Sequence, residues 1–256
     1  MMKKIIQLGI LICFFGCSES IKELEARIEE QAKKNGVEIS ASEIKKNAIY
    51  LDAWSKKDFY QDAIDEFLEQ DRENFPKNIQ VLFTGSSSIR FWESLEEDMK
   101  PLRVLNRGFG GAHISHVNFH FDDVVKRYYP EAIVFFCGTN DVTALKTPEE
   151  TVNDFEIFRE KVRNNLPDVH IFVIGIKPSP ARVYLEKEEM EYNTLISNLA
   201  DEDELLTFID IWDEMLTEDG ERIAELFIED GLHINEKGYK IWTKLVRENL
   251  ATIFNL

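Results

Sequence analysis

A glycine followed by three serines interrupts the stretch Val81-Leu-Phe-Thr-Gly-Ser-Ser-Ser-Ile-Arg-Phe-Trp92. Val81 to Thr84 are apolar or β-branched without alternating charge, the pattern of a buried strand, and Ile89, Phe91 and Trp92 open an amphipathic run. A strand, a tight turn at Gly85 and a helix start would expose a short side chain at the strand's carboxyl end. Backbone N–H groups are available there, and the helix dipole favours negative charge. A serine hydroxyl so placed suits attack on an acyl carbon, because the same N–H groups can receive the oxyanion. The alternative is local: small residues permit the turn, and Ser86 or Ser88 caps the helix.

Positioning a nucleophile requires a scaffold, and the chain from Ile79 onward carries the pattern of one. Short apolar segments at Ile79–Thr84, Leu102–Leu105, Ala132–Cys137, His170–Ile176 and Leu206–Ile211 alternate with helical patterns over 88–98, 112–128, 147–165, 184–200 and 236–253. Five strands separated by helices predict an α/β fold of three layers, α/β/α, with a mostly parallel five-stranded sheet covered on both faces. In that architecture function gathers at the carboxyl ends of the strands. The unusual residues fall at those ends. They are Asn106-Arg-Gly-Phe-Gly-Gly-Ala-His113, Gly138-Thr-Asn-Asp141 and Lys177-Pro-Ser-Pro-Ala-Arg182 after the second, third and fourth strands, and Asp230-Gly-Leu-His-Ile-Asn235 before the last helix.

Taken in order, these pieces resemble the four blocks of the SGNH family of GDSL-type esterases. Gly85-Ser86-Ser87 corresponds to the Gly-Asp-Ser block, which makes Ser87 the nucleophile and leaves Ser86 where the family has Asp. Asn106 to Gly111 corresponds to the second block, with Gly111 at the oxyanion glycine. Gly138-Thr-Asn140-Asp corresponds to the third, with Asn140 as the oxyanion amide, and Asp230-Gly-Leu-His233 to the last. The resemblance runs from about Phe59 to the C-terminus. It implies a flavodoxin-like SGNH hydrolase fold and a serine esterase working without metal or cofactor. Ser87 would attack the acyl carbonyl, His233 would take its proton and return it to the leaving alcohol, and Asp230 would orient His233. The N–H groups of Ser87 and Gly111 and the Asn140 amide would hold the oxyanion.

Each of these residues also has an ordinary structural use. Gly111 suits a turn with φ > 0, Asn140 and Asp141 a turn and helix cap, Asp230 a turn before Gly231, and His233 an exposed loop. Their joint placement favours chemistry. His113, His116 and His120 share a helical face at metal-binding spacing, but Ile114, Val117, Phe119 and Phe121 run through the same stretch, and no metal is expected. His113, just after Gly111, is expected to line the substrate pocket. Lys177 and Arg182, at a strand end, are candidates to meet a polar or anionic substrate group in that pocket, with a salt bridge or solvent exposure as the first expectation for each.

The start of the chain points to a compartment. Met1-Met-Lys-Lys precedes an apolar run from Ile5 to Phe15, which ends at Gly16-Cys17. The run is too short for a membrane span and suits a secretory signal. Gly before Cys resembles a bacterial lipobox, although Phe14 stands where Leu is commoner. That resemblance implies a signal peptide over 1–16, lipid on Cys17 and a membrane-anchored lipoprotein of the bacterial cell envelope. An ordinary cleaved signal or a short uncleaved anchor is the alternative. With Cys13 removed and Cys17 lipidated, Cys137 is the single remaining thiol, so no disulfide framework is expected.

Composition bounds the rest. At 256 residues and 44% hydrophobic, the chain fits one α/β domain with terminal additions. Its formal net charge of −18 repels phosphate backbones, so nucleic acid is not expected as a partner. Residues 17–56 read as a charged helical tether: Ile21, Leu24, Ile28 and Ala32 recur at helical spacing, and Ser40-Ala-Ser-Glu43 is a capping-box signature. Residues 57–256 read as the hydrolase domain. The expected activity is hydrolysis of an O-acyl ester on a small molecule or glycan, with short-chain esters such as carbohydrate acetates first, since an envelope enzyme meets glycans. A lysophospholipase or thioesterase acting on longer chains is the second reading. A non-catalytic glycan- or peptidoglycan-binding lipoprotein is the third.

Overall fold

The computed structural model describes the backbone from Leu11 to Leu256 and side chains from Ser20 onward. Residues 1–10 of the expected signal peptide, and the side chains of residues 11–19 with Cys17 among them, lie outside the described residues. The chain divides into two compact units, one ending at Phe59 and one spanning Tyr60–Leu256. In the first, α1 (Leu11–Lys34) and α2 (Ala41–Trp54) pack together. Ser40 Oγ accepts from the Glu43 N–H while the Glu43 carboxylate accepts from the Ser40 N–H. That reciprocal cap satisfies two backbone donors and starts α2. Among the described residues, no helix is long and apolar enough to cross a membrane.

The second unit runs α3 (Gln61–Glu73), β1 (Val81–Gly85), α4 (Ser87–Arg90), α5 (Leu95–Asp98), β2 (Val104–Gly108), α6 (Ile114–Phe119), α7 (Phe121–Val124), β3 (Ala132–Phe136), α8 (Thr139–Thr143), α9 (Pro148–Asn165), β4 (His170–Ile174), α10 (Glu186–Asp201), β5 (Leu206–Ile209) and α11 (Glu236–Leu250). The five strands form one all-parallel sheet in the order β2-β1-β3-β4-β5. Because side chains alternate along a strand, the sheet feeds two cores. Leu82, Ile133, Phe135, Ile171 and Val173 join Phe155, Phe158, Tyr192 and Ile196 of α9 and α10 on one face. Val81, Phe83, Val134, Phe136, Phe172 and Ile174 join Trp92, Trp242, Val246 and Leu250 on the other. Burial on both faces explains the near-continuous apolar runs of the strands. The strand order reverses between β1 and β3, which opens a crevice at their carboxyl ends.

Among the elements that differ from expectation, the second strand and the first helix after the serines bear on the site. β2 continues to Gly108 rather than ending at Leu105, although this takes Arg107 into the sheet at 6% exposure. The Arg107 guanidinium donates to Asp71 Oδ1 of α3 at 2.6 Å and to the Tyr128 hydroxyl at 2.8 Å, and Tyr128 in turn donates to Asp71 Oδ2 at 2.6 Å. A buried charge that is paired and hydrogen-bonded is tolerated in a strand, whereas an unpaired one is not. The expected helix over 88–98 is instead two single turns, α4 and α5. The break between them seats Trp92 in the core, with its indole N–H donating to Asp98 Oδ2 at 2.6 Å.

Candidate active site

The crevice between β1 and β3 is where the serines emerge. Gly85 has φ +130°, and a Cβ there would lie 2.0 Å from the Phe136 carbonyl oxygen, so only glycine lets β1 pass β3 at this point. The Ser86 N–H donates to Phe136 O at 2.9 Å, and the chain then turns into α4, with Ile89 and Arg90 returning their N–H groups to Ser86 O. Ser86 and Ser88 are each 2% exposed, while Ser87 is only half-buried. The turn thereby singles out one of three adjacent hydroxyls.

The loop before α11 meets it. Asp230 Oδ1 accepts the N–H groups of Leu232 and His233 at 2.8 and 2.9 Å, which folds Asp230-Gly-Leu-His233 into a turn with Gly231 at φ +63°. Asp230 Oδ2 lies 2.5 Å from His233 Nδ1, and His233 Nε2 lies 2.9 Å from Ser87 Oγ. Burial opposes ionisation of Asp230, but the hydrogen bonds from the His233 ring and from the His233 and Leu232 backbones outweigh it and hold the carboxyl below its usual range. A carboxylate at Nδ1 keeps the proton on that nitrogen, leaving Nε2 to accept from the serine. Behind the loop, Asn235 caps α11 through the N–H groups of Lys237 and Gly238.

The second and third glycine-containing loops close over the same strand ends. The Phe109 N–H donates to Gly85 O at 3.1 Å, and the Ile114 N–H to the buried Asp141 carboxylate at 3.1 Å. Between them, Ala112 O accepts from the Asn140 side-chain amide at 3.1 Å. This fixes the orientation of the amide while using one of its two N–H donors. The Gly111 N–H donates to the Tyr60 hydroxyl at 3.0 Å. Nothing in the sequence marks Tyr60 as part of the site.

Residues 80–241, more than half of the chain, match the GDSL-like Lipase/Acylhydrolase family. The chain belongs to this family. Solved structures like this acylhydrolase include a Streptococcus pneumonia protein described as a platelet activating factor (TM-score 0.68, 19% identity, covering 83% of this chain and all of that one). A GDSL-like lipase from Bacteroides thetaiotaomicron has TM-score 0.64 at 18% identity, covering 75% and 98% of the two chains. A carbohydrate esterase family 3 protein from Talaromyces cellulolyticus has TM-score 0.54 at 16% identity, covering 68% and 97%. At these identities the likenesses show the fold. In sequence, 198 residues are 21% identical to an Escherichia coli N-acylneuraminate cytidylyltransferase, over 75% of this chain but only 45% of that protein's length.

The expected substrate-pocket residues of the acylhydrolase are not all at its surface. His113 is fully buried and stacks on His116 with ring centroids 4.9 Å apart. Burial drives its imidazole down to about 3, helped by the Lys146 ammonium. Lys177 is 1% exposed and donates to Ser88 Oγ at 3.0 Å. Neither therefore offers a surface to substrate here, because each is packed beneath the loops that carry the site. Arg182 is half-buried and donates to the Tyr184 hydroxyl at 3.1 Å. His116 Nδ1 accepts the His113 N–H at 2.9 Å, and the His120 ring packs edge-on against Phe109 and Phe119. Among the described residues, no three His, Cys, Asp or Glu side chains are arranged to hold a metal.

Proposed function

We propose that this acylhydrolase cleaves an O-acyl ester through a triad of Ser87, His233 and Asp230. The observation that carries the reading is the unbroken chain of contacts from Ser87 Oγ to His233 Nε2 at 2.9 Å and from His233 Nδ1 to Asp230 at 2.5 Å. Ser87 Oγ attacks the acyl carbon as its proton passes to Nε2, and Asp230 stabilises the resulting imidazolium. The carbonyl electron pair becomes an oxyanion, held by the N–H groups of Ser87 and Gly111 and the free donor of the Asn140 amide. Collapse expels the alcohol, which takes the proton from Nε2 and leaves an acyl-Ser87. Water then attacks in the same way, releasing the acid and restoring the hydroxyl.

The proposed substrate is a short-chain ester, such as an acetyl group on a carbohydrate. A carbohydrate esterase among the structural neighbours supports this class. A second reading, a lysophospholipase or thioesterase, has one observation in its favour. Phe91, 43% exposed, packs edge-on to His233 at 5.0 Å, and Ile228, 50% exposed, donates its N–H to His233 O, so apolar surface borders the base. A panel of p-nitrophenyl esters of increasing chain length, run beside an acetylated polysaccharide, separates the two. Preference for acetate with release of polysaccharide acetyl supports the first reading, and preference for long chains the second. No turnover of any ester would contradict both and favour a glycan-binding lipoprotein.

We further propose a signal peptide over 1–16, lipid on Cys17, a helical tether over 17–56 and the hydrolase domain over 57–256, which together hold the enzyme at the bacterial envelope membrane. The basic start, the apolar run and Gly16-Cys17 support this. Cys17→Ala is expected to move the protein from the membrane to the soluble fraction, and its retention there would contradict the anchor.

A further inference from the structure

Burying a lysine ammonium is costly unless charges and hydrogen bonds answer it. Lys177 follows β4 past Gly175 and Ile176 and is 1% exposed. Its Nζ lies 4.9 Å from the Phe136 ring centroid and donates to Ser88 Oγ at 3.0 Å. Ser88 is itself buried, and its carbonyl accepts from the Tyr239 hydroxyl of α11 at 2.8 Å. The residue next to Ser87 is thus gripped from two sides by groups far away in sequence.

Burial pushes the Lys177 ammonium down to about 8, against the charges of Glu189 of α10 and Asp230, which favour it, while Arg182 opposes it. Glu189 is fully buried, and neither carboxylate oxygen has a hydrogen-bond partner. A structural ion pair would join the two directly, but burial raises the Glu189 carboxyl to about 8, so it carries little charge near neutral pH. Here the amine gives its hydrogen bond to Ser88 instead. The lysine is directed at the serine turn and not at the buried carboxyl.

We infer that Lys177 is a positioning residue for Ser87, acting through Ser88 to hold the single-turn α4 in the register that meets His233 at 2.9 Å. The inference rests on the serine-hydrolase reading above. A four-residue turn has few internal hydrogen bonds to fix it, and a displacement of about 1 Å at a reacting group can cost about 10²-fold in rate. The bonds from Lys177 and Tyr239 supply the missing constraint from β4 and α11.

The test uses the full chain, with kcat and KM on p-nitrophenyl acetate, the rate of labelling by a fluorophosphonate, and thermal unfolding measured together. Ser87→Ala is the control: if it keeps activity, the serine-hydrolase reading fails and the inference with it. With that control inactive, Lys177→Met is expected to lower kcat and the labelling rate about 10- to 100-fold at nearly unchanged KM. The double variant Lys177→Met/Ser88→Ala should be no slower than Lys177→Met, because both changes remove the same bond. Unchanged kcat and labelling in a folded Lys177→Met overturn the inference even if its melting temperature falls, and so do effects that multiply in the double variant. If Lys177→Met does not fold, Ser88→Ala decides: about a 10-fold loss of kcat at unchanged KM is expected, and an unchanged kcat overturns the inference.

Discussion

The backbone N–H of Gly111 donates to the hydroxyl of Tyr60 at 3.0 Å, across 51 positions of sequence. Gly111 is the glycine proposed to receive the oxyanion, so a phenol oxygen stands in the resting protein where a substrate oxygen is needed. The loop is shaped around that ring. A Cβ on Gly110 would lie 2.1 Å from Tyr60 Cε1, and the ring packs edge-on against Phe109 and His116.

Removing the hydroxyl should therefore favour the reaction. Displacing one neutral hydrogen bond costs about 0.5–1.5 kcal/mol net, so Tyr60→Phe is expected to raise kcat/KM on p-nitrophenyl acetate by about 2- to 10-fold. Steady-state kinetics checks it. A fall in kcat/KM would mean that the phenol donates to the substrate oxygen rather than competing with it.

Asn140 offers the complementary change. Its amide donates to Ala112 O through one N–H, and the proposed oxyanion bond uses the other. Asn140→Ala should lower kcat by about 10²–10³ with KM nearly unchanged, because that bond forms chiefly in the transition state. A raised KM with intact kcat would make Asn140 a residue for ground-state binding.

The separate behaviour of these residues reflects what a sequence can carry. The serine turn and the Asp230–His233 pair were legible because each is local, a glycine turn after an apolar run and an Asp-x-x-His spacing that folds on itself through Asp230 Oδ1. The choice of Ser87 among three serines rests instead on the family resemblance. The strands were legible because both faces are buried and their residues are apolar throughout. Arg107 was not, since its place in β2 depends on Asp71, 36 residues earlier. Nor was Lys177, whose burial depends on Ser88 of α4 and Phe136 of β3 reaching it from elsewhere in the chain. Such long-range pairings leave no periodicity, so a charged residue before a proline reads as surface loop. Tyr60 is the same case, defined only by the loop it touches.

Burial of His113 gives stability a pH dependence whose sign is fixed. The folded imidazole is pushed down to about 3, whereas the unfolded one titrates near the ordinary value of about 6.5. Below that value the unfolded chain binds a proton the folded one refuses. Stability is therefore full above about pH 6.5 and is lost as pH falls toward 3. Between pH 7 and pH 5 the wild type should lose about 2 kcal/mol more than His113→Gln, measured by urea denaturation at each pH. Equal losses in the two proteins would show that His113 titrates normally in the folded state.

The central claim is that Ser87, and neither of its neighbours, is the nucleophile, because its hydroxyl is the one that contacts His233. Reaction with a fluorophosphonate, followed by mass spectrometry of the peptide spanning Val81 to Trp92, tests it most directly. The adduct is expected on Ser87, lost in Ser87→Ala, and kept, at a slower rate, in Ser88→Ala. An adduct on Ser86 or Ser88, or labelling that survives Ser87→Ala, would contradict the account.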